Sequence, residues 1–280
     1  MTVLVTGASG NVGGAVATAF LDAGLPVRVL TRGAEQAGRP DRVEVFTGDL
    51  SDPASVRGAW SGVESVFLLP GFEGTPQLLA DARQAGVRHV TLLSGSSAGD
   101  PDSANAITRY MSVTEGQVSA SGLSYTILRP AAFMSNALRW AGQLSAGNVV
   151  EEAFADVPAA VIDPADIAAA AVAVSREPDR ASHAGAVYRL SGPEALRPAE
   201  RLEVLAEVLG RPLHLEPLSN EAAHERMSGQ MPAAYVDALF DFYVHGSLDE
   251  SIVHPAVAEL TGRPARTFRE WALAHAGAFT

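Results

Sequence analysis

The chain has 280 residues, 47% hydrophobic and 19% charged, which is typical of a globular protein with a substantial core. Its net charge of −12, without any basic run, argues against nucleic acid or an anionic membrane surface as a partner. It contains no cysteine, which excludes disulfides, thiolate catalysis and cysteine-ligated metals.

The first predicted elements are a buried strand over residues 2–5 and a helix over residues 15–23. Between them, Gly7, Gly10 and Gly13 follow GxxGxxG spacing. Gly7 permits a sharp turn, Gly10 lets a pyrophosphate approach the backbone, and Gly13 lets the helix pack closely against the strand. The strand and helix that flank the glycines favour a dinucleotide site over an ordinary strand-to-helix turn.

The helix that follows the glycines is expected to present unpaired N–H groups and the positive end of its dipole to phosphates. Ser9 and Asn11 are placed to add side-chain donors.

A second strand, predicted over residues 25–32, ends in Thr31 and Arg32, and no acidic residue follows before Glu35. Sites that prefer NAD usually carry a carboxylate here to bind the ribose 2′-hydroxyl, whereas a guanidinium pairs with a 2′-phosphate. The sequence therefore predicts NADP(H) as cofactor. The alternative is that Arg32 is a solvated surface residue.

The third predicted strand spans residues 43–50 and includes Asp49, which is expected either beside the adenine or at the entry to the next helix. That helix is predicted to begin at Pro53 with Ser51 or Asp52 as its cap. Further strands are predicted over residues 62–69, 87–94 and 123–130, separated by helices over 75–85 and 107–121. Alternating strands and helices predict an α/β fold with a doubly wound parallel sheet in the order 3-2-1-4-5-6.

The pattern changes after residue 130. Residues 131–146 are predicted to form a loop and a helix whose Phe133, Met134, Asn136 and Trp140 line an apolar pocket. A strand over 187–191 and several helices follow. Asp163 and Asp166 are interpreted as helix-cap residues rather than as an acid–base pair.

The chain begins without the basic and apolar segments of a signal peptide, and no apolar run reaches the length of a membrane span. The longest, around residues 167–174, is predicted to be a packed helix. A cytoplasmic location is the expectation. The seven histidines form no metal-binding pattern, so no metal is predicted.

Several motifs resemble those of the NmrA-like atypical short-chain dehydrogenases/reductases. They are the turn TGASGNVG at 6–13, Thr31-Arg32, GDL at 48–50, LRP at 128–130 and the closing segment 262–271. That family includes type 2 NAD(P)H:quinone oxidoreductases, triphenylmethane-dye reductases and iminium-reducing enzymes. The resemblance implies a Rossmann domain over residues 1–130, to which 159–192 return. It also implies a smaller substrate lobe formed by 131–158 and 193–280, with the substrate cleft between the two.

The resemblance also implies a set of cofactor-binding residues. They are Gly7, Ser9, Gly10, Asn11, Val12 and Gly13 for the pyrophosphate, Arg32 for the 2′-phosphate, Asp49 and Leu50 for the adenine, and Leu69, Pro70, Ser94 and Pro130 for the ribose and nicotinamide.

Typical short-chain dehydrogenases use a Tyr-x-x-x-Lys pair with an upstream serine. In this chain Tyr110 is followed four residues later by Thr114, so the lysine that would favour a phenolate is absent. Ser94, Tyr110 and Asn136 are the catalytic candidates, with Asn136 expected to bind a carbonyl acceptor. A packed, non-catalytic Tyr110 is the alternative.

The missing lysine favours acceptors that need little proton donation, such as quinones, iminium ions and conjugated carbonyls. The predicted function is an NADPH-dependent reductase of a small electron-poor acceptor, in a monomer or homodimer. The alternatives are a non-catalytic NAD(P)-binding redox sensor or regulator and a redox-neutral tailoring enzyme. Several aromatic residues are expected either to wall the acceptor pocket or to lie in the core. Besides Phe133 and Trp140 these are Tyr235, Phe240, Phe242 and Tyr243.

Overall fold

A computed structural model describes residues 1–33, 43–176 and 179–280. Glu35, which entered the cofactor argument, lies outside these ranges. The strands of the described part are β1 (Thr2–Val5), β2 (Val27–Thr31), β3 (Val43–Thr47), β4 (Val63–Leu68), β5 (His89–Leu93), β6 (Ser124–Pro130), β7 (Val149–Glu152), β8 (Ala186–Leu190) and β9 (His214–Pro217).

Seven of these strands form one parallel sheet in the order β3-β2-β1-β4-β5-β6-β8. The predicted α/β fold and strand order are confirmed, and β8 extends the sheet beyond β6. Because the strands run the same way, their carboxyl ends share one edge. The order reverses direction at β1, which lies between β2 and β4, and such a switch point is where open α/β sheets bind ligands.

Helices cover both faces of the sheet. They are α1 (Asn11–Asp22), α2 (Thr75–Gln84), α3 (Ala106–Ser119), α4 (Ala141–Ala146), α5 (Pro164–Ser175), α6 (Pro198–Leu209), α7 (Asn220–Ser228), α8 (Ala233–Tyr243), α9 (Ala256–Thr261) and α10 (Phe268–His275). Apolar side chains of α1 and α5 pack into the core on one face, and those of α2 and α3 pack into the core on the other. Short 3-10 helices occupy Pro53–Trp60, Met134–Trp140, Asp179–His183 and Ala276–Phe279.

Two predicted boundaries are wrong. α1 begins at Asn11 rather than at residue 15, because Gly10 is its N-cap and Gly13 lies inside its first turn. The third strand ends at Thr47 rather than at residue 50, and the helix that follows is of the 3-10 type.

Two predicted caps are confirmed. The Asp52 side chain accepts a hydrogen bond from the Ala54 N–H, and that of Asp163 accepts one from Ala165. Asp166 is fully buried and forms an ion pair with Arg263 at 2.7 Å, which holds the segment before α10 against α5. These carboxylates therefore have structural roles, as the helix-cap interpretation requires.

A third core lies beyond the main sheet. β7 and β9 form a two-stranded parallel sheet, and α4, α6 and α10 pack beside it. Met134 and Trp140 are fully buried in this core together with Trp271 and Phe268. Of the two roles expected for these residues, pocket wall or core, Met134 and Trp140 therefore have the second, because their side chains fill the core. The division into a cofactor domain and a substrate lobe stays a prediction.

Within the described ranges, no helix combines the length and the apolar character that crossing a bilayer requires.

Candidate functional site

A cleft with a cavity volume of about 360 Å³ opens at the carboxyl edge of the main sheet. Residues from the ends of β1, β2, β3 and β4 form it. Its lining comprises Gly7, Ser9, Gly10, Leu30, Thr31, Arg32, Gly48, Asp49, Leu50, Ser51, Leu69 and Phe72.

The three glycines of the turn differ in what each one must accommodate. Gly7 has a φ of +66°, and a Cβ there would overlap the Leu69 side chain. A Cβ on Gly13 would overlap the Gly7 carbonyl oxygen. A Cβ on Gly10 would meet only that oxygen, at an ordinary 3.5 Å. The fold therefore requires Gly7 and Gly13, whereas Gly10 leaves open space at the cleft, as close approach of a phosphate demands.

The start of α1 also suits an anion. Gly10 is the N-cap and has no side chain to bond the first N–H groups of the helix. Ser9 and Asn11 are exposed beside it. The Val12 side chain is 7% exposed and packs in the core, so only its main chain faces this end of the helix. The uncapped donors and the helix dipole fit the pyrophosphate of a dinucleotide.

Arg32 follows the last residue of β2 and its side chain is exposed at the cleft. Across the cleft, the loop after β3 is held by its own hydrogen bonds. The Asp49 carboxylate accepts one from the Ser51 N–H at 2.8 Å, and the Asp49 N–H donates one to Ser55 Oγ at 2.9 Å. The cleft thus places a guanidinium opposite a fixed loop, and binding of a 2′-phosphate by Arg32 stays a prediction.

Ser94 lies just past β5 and is 3% exposed. Its hydroxyl donates to Glu115 Oε1 at 2.5 Å. The Arg129 guanidinium binds the same carboxylate through two hydrogen bonds, of 2.8 and 2.5 Å. Ser94 therefore belongs to a buried ion-pair network, in which its proton already has an acceptor.

Tyr110 lies on α3 and is partly buried, with its ring edge-to-face with Tyr235 at 6.1 Å. Burial, followed by the neighbouring Tyr235, raises the pKa of the Tyr110 phenol. Thr114 donates its hydroxyl proton to the Tyr110 carbonyl at 2.8 Å and accepts the Gly71 N–H at 3.2 Å. Thr114 thus ties the helix to the loop after β4 and supplies no positive charge, so the phenol stays protonated.

A second cavity, also of about 360 Å³, begins two residues beyond β6. Asn136, Tyr243, Phe154 and Arg201 contribute to its wall. The complete lining is Ala132, Asn136, Arg139, Glu152, Ala153, Phe154, Val157, Ala159, Val161, Pro198, Arg201, Met227, Gln230, Met231, Leu239 and Tyr243. It follows the carboxyl end of β6, and so lies on the side of the sheet where the dinucleotide cleft opens.

The predicted cofactor residues divide between the cleft and its surroundings. Gly7, Ser9, Gly10, Arg32, Asp49, Leu50 and Leu69 line the cleft. Asn11, Val12, Gly13, Pro70, Ser94 and Pro130 lie outside its lining, and of these Val12, Gly13, Ser94 and Pro130 are buried. Among the catalytic candidates, Asn136 reaches the second cavity.

Sequence reasoning missed several lining residues. Leu30 and Phe72 flank strand ends that were predicted, so their position was a usable signal. Arg201 and Phe154 had no such signal, because one is an ordinary residue in a helix pattern and the other lies in a loop.

Within the part of the chain that the structure describes, no cluster of three or more histidine, aspartate or glutamate side chains could hold a metal ion.

Comparison with known proteins gives the family. An NAD(P)H-binding family model matches residues 7–178. The chain belongs to this NAD(P)H-binding family, which agrees with the predicted resemblance to the NmrA-like atypical short-chain dehydrogenases/reductases. A nicotinamide dinucleotide cofactor, predicted from the glycine turn, is thereby confirmed.

Three relatives of this chain are informative. A (4-alkanoyl-5-oxo-2,5-dihydrofuran-3-yl)methyl phosphate reductase of Streptomyces griseus is 40% identical, over 99% of each chain. An NAD(P)H azoreductase of Xenophilus azovorans is 33% identical, again over 99% of each. The structure of the quinone oxidoreductase QOR2 of Escherichia coli with NADPH has a TM-score of 0.79 at 25% identity and covers 99% of this chain and 100% of that one.

Proposed function

We propose that this protein is an NADPH-dependent reductase that transfers a hydride to a small electron-poor acceptor, with conjugated carbonyl compounds as the favoured class. The observation that carries the proposal is the state of the two candidate proton donors. Ser94 is bound to a buried carboxylate, and Tyr110 is a protonated phenol without a lysine partner. A site of this kind suits an acceptor that is already activated toward hydride.

NADPH is favoured over NADH by the cleft around Arg32. A guanidinium can bind a 2′-phosphate through two hydrogen bonds, and hydrogen bonds of this charged kind are the strong ones. The open space at Gly10 and the uncapped start of α1 would hold the pyrophosphate. A chain with a net charge of −12 depends on such local donors to bind an anionic cofactor.

When bound, NADPH supplies the hydride. The residues of this chain would then act by holding the acceptor in position for hydride transfer. Asn136, at the second cavity, is placed to donate a hydrogen bond to a carbonyl oxygen of the acceptor. As the hydride adds to the β-carbon of a conjugated carbonyl, the electron pair of the double bond moves toward that oxygen. The resulting enolate takes its proton from water, since Tyr110 lines neither of the two cavities.

The relatives support this choice of acceptor. The name of the Streptomyces griseus enzyme describes an unsaturated lactone with an acyl substituent, in which the ring double bond is conjugated to carbonyl groups. Azo compounds and quinones, the acceptors in the names of the other two, are also electron-poor. All three can accept hydride at a conjugated position, so one type of site suits them.

The test is steady-state kinetics with NADPH and NADH against an unsaturated acyl lactone, a naphthoquinone and a cyclic iminium ion. We expect turnover with NADPH and the lactone, and a preference for NADPH that falls about tenfold to a hundredfold in Arg32→Ala while turnover with NADH is retained. Arg109→Ala, which removes an exposed arginine on α3, is the matched control.

Absence of turnover with all three acceptors would refute the reductase proposal. NADPH binding without turnover would favour the redox sensor. An unchanged preference in Arg32→Ala would remove Arg32 from the cofactor site.

A further inference from the structure

Arg201 is a buried guanidinium without an anionic partner. It lies on α6 and is 7% exposed, and its Nε has no hydrogen-bond partner. Among the described residues, no carboxylate lies within 4.0 Å of its guanidinium, and its contact with an aromatic ring is with Trp140, 5.9 Å from the ring centre. Proteins almost never bury an arginine fully unless it is paired, because desolvation of an isolated charge is costly.

The acidic residues near Arg201 are already bound to other groups. Glu152 accepts hydrogen bonds from Arg139 at 2.8 and 3.2 Å and from Trp140 Nε1 at 2.5 Å. Glu250 accepts from Tyr243 at 2.8 Å, from Ser96 at 2.6 Å and from the Ala132 N–H at 2.9 Å. Both carboxylates favour the charged form of Arg201 through space, but neither accepts a hydrogen bond from its guanidinium.

The cavity that Arg201 lines is therefore locally positive. Its lining contains two arginines, Arg139 and Arg201, against one glutamate, Glu152. This excess stands out in a chain whose net charge is −12. Burial, which is the largest influence, followed by the charge of Arg139, lowers the pKa of Arg201 to about 10, so the guanidinium is charged at neutral pH.

The rest of the cavity is mostly apolar and includes a strained residue. Val157, Met227, Met231 and Leu239 contribute apolar surface. Phe154 has a φ of +53°, the one positive value outside glycine in the described ranges, and its ring packs on Tyr243 at 5.2 Å and on Phe240 at 5.3 Å. A bulky residue is rarely held in this region of conformational space, and such strain tends to occur at ligand sites.

We propose that Arg201 is a substrate-binding residue that pairs with an anionic oxygen group, a phosphate ester or a carboxylate, on an otherwise apolar acceptor. The proposal rests on the proposed function and names the substrate class of its acceptor cavity. The guanidinium binds the anionic group, and the methionines and Leu239 surround an alkyl or acyl chain. A cavity of about 360 Å³ falls within the range of small-molecule sites.

The alternative is a structural role, in which Arg201 serves as a stacking partner of Trp140. Stacking leaves the N–H donors of the guanidinium without acceptors, and an unmade hydrogen bond in a buried site is costly. A ligand with anionic oxygens supplies both the acceptors and the missing charge.

The test is calorimetry on the protein saturated with NADP⁺, so that the dinucleotide cleft is filled and cannot bind the probes. The probes are hexyl phosphate, hexanoate and 1-hexanol, which share an alkyl chain. Binding does not require turnover, so the result is independent of whether the protein reduces any acceptor. The variants are Arg201→Met, Arg201→Lys and, as a control that removes the same charge at the surface, Arg269→Met. Arg269 is 54% exposed and paired with Glu207.

We expect at least one anionic probe to bind the wild type about tenfold to a hundredfold more tightly than 1-hexanol. That advantage is lost in Arg201→Met, partly kept in Arg201→Lys and unchanged in Arg269→Met. Comparison of hexyl phosphate with hexanoate identifies the anionic group. An unchanged NADPH affinity in Arg201→Met shows that this variant is folded.

The proposal is overturned if neither anion binds better than 1-hexanol, or if Arg201→Met binds them as the wild type does. If Arg201→Met loses NADPH affinity, Arg201→Lys decides: a reduced advantage of the anions at unchanged NADPH affinity supports the proposal, whereas loss of NADPH affinity in both variants would assign Arg201 a structural role.

Discussion

Replacing Arg201 with methionine is expected to stabilise the ligand-free protein. In the fold, burial lowers the pKa of Arg201 to about 10. This lies well below the ordinary pKa of an arginine, and the difference corresponds to a cost of about 3 kcal/mol for keeping the charged form in the fold. Because the charge remains at pH 7, this cost lowers the free energy of unfolding of the wild type.

The gain is partly offset by the lost contact with Trp140. A cation over an aromatic ring contributes about 1 kcal/mol when partly buried. Methionine keeps much of the apolar stem and can fill the space beside Trp140. The net expectation is a gain of about 2 kcal/mol in the free energy of unfolding, which corresponds to a rise of about 3–4 °C in Tm for a chain of 280 residues.

The assay is thermal unfolding at pH 7 without ligand, followed by circular dichroism, with Arg269→Met measured alongside. The surface pair of Arg269 and Glu207 is expected to contribute at most about 1 kcal/mol. Addition of the anionic probe should raise the Tm of the wild type and leave that of Arg201→Met unchanged. A Tm of Arg201→Met several degrees below that of the wild type would refute the reasoning, because it would mean that the guanidinium is satisfied within the fold.

Three further predictions concern other parts of the molecule. Gly10→Ala should weaken NADPH binding about tenfold or more with little change in Tm, since its Cβ meets open space at the cleft. Gly13→Ala should lower Tm, because its Cβ overlaps the Gly7 carbonyl. Calorimetry and thermal unfolding of both variants check this, and equal losses of stability would contradict it. Tyr110→Phe should lower kcat on a quinone less than about tenfold. Titration of Tyr110 should not lower the rate of the wild type between pH 7 and 9, because burial raises its pKa and keeps the phenol protonated there. A pH–rate profile of the wild type and the variant tests this, and a hundredfold loss would make Tyr110 an essential acid. Burial lowers the pKa of His89 to about 4, so its contribution to stability is present above pH 6.5 and is lost as the pH falls toward 4. In His89→Gln, the free energy of unfolding measured with urea should depend less on pH between 6.5 and 4. A dependence as steep as that of the wild type would show that other groups are responsible.

The cofactor half of the site could be anticipated because it depends on local sequence. The glycine turn and the residue after β2 lie within about thirty residues of each other, in one strand–helix–strand unit. Parallel strands bring the segments that follow them to the same edge of the sheet. Gly7, Gly10 and Arg32 therefore line one cleft, and their binding of the cofactor stays a prediction. The first residue of α1 was harder to predict, because Gly13 lies inside the first turn of the helix and a glycine at such a position resembles part of a loop.

The second cavity could not be predicted from local sequence. Arg201 on α6 and Phe154 in the loop after β7 line the same cavity although they are far apart in sequence. The chemistry of Arg201 depends on which neighbouring groups are already hydrogen-bonded. The Glu152 carboxylate, for example, binds Arg139 and not Arg201. Aromatic residues after β6 were ambiguous for the same reason, since only tertiary packing puts Trp140 in the core and Tyr243 at the cavity.

The proposed function requires that hydride pass from NADPH to a carbon atom of a conjugated carbonyl acceptor. The most direct test is a reaction of the wild type with an unsaturated acyl lactone and NADPH deuterated in turn at each C4 position, with the product examined by mass spectrometry and NMR. We expect the deuterium from one of the two C4 positions to appear quantitatively at the β-carbon of the saturated product. NADPH that binds but yields no reduced lactone, or a reduced product without deuterium at that carbon, would contradict it.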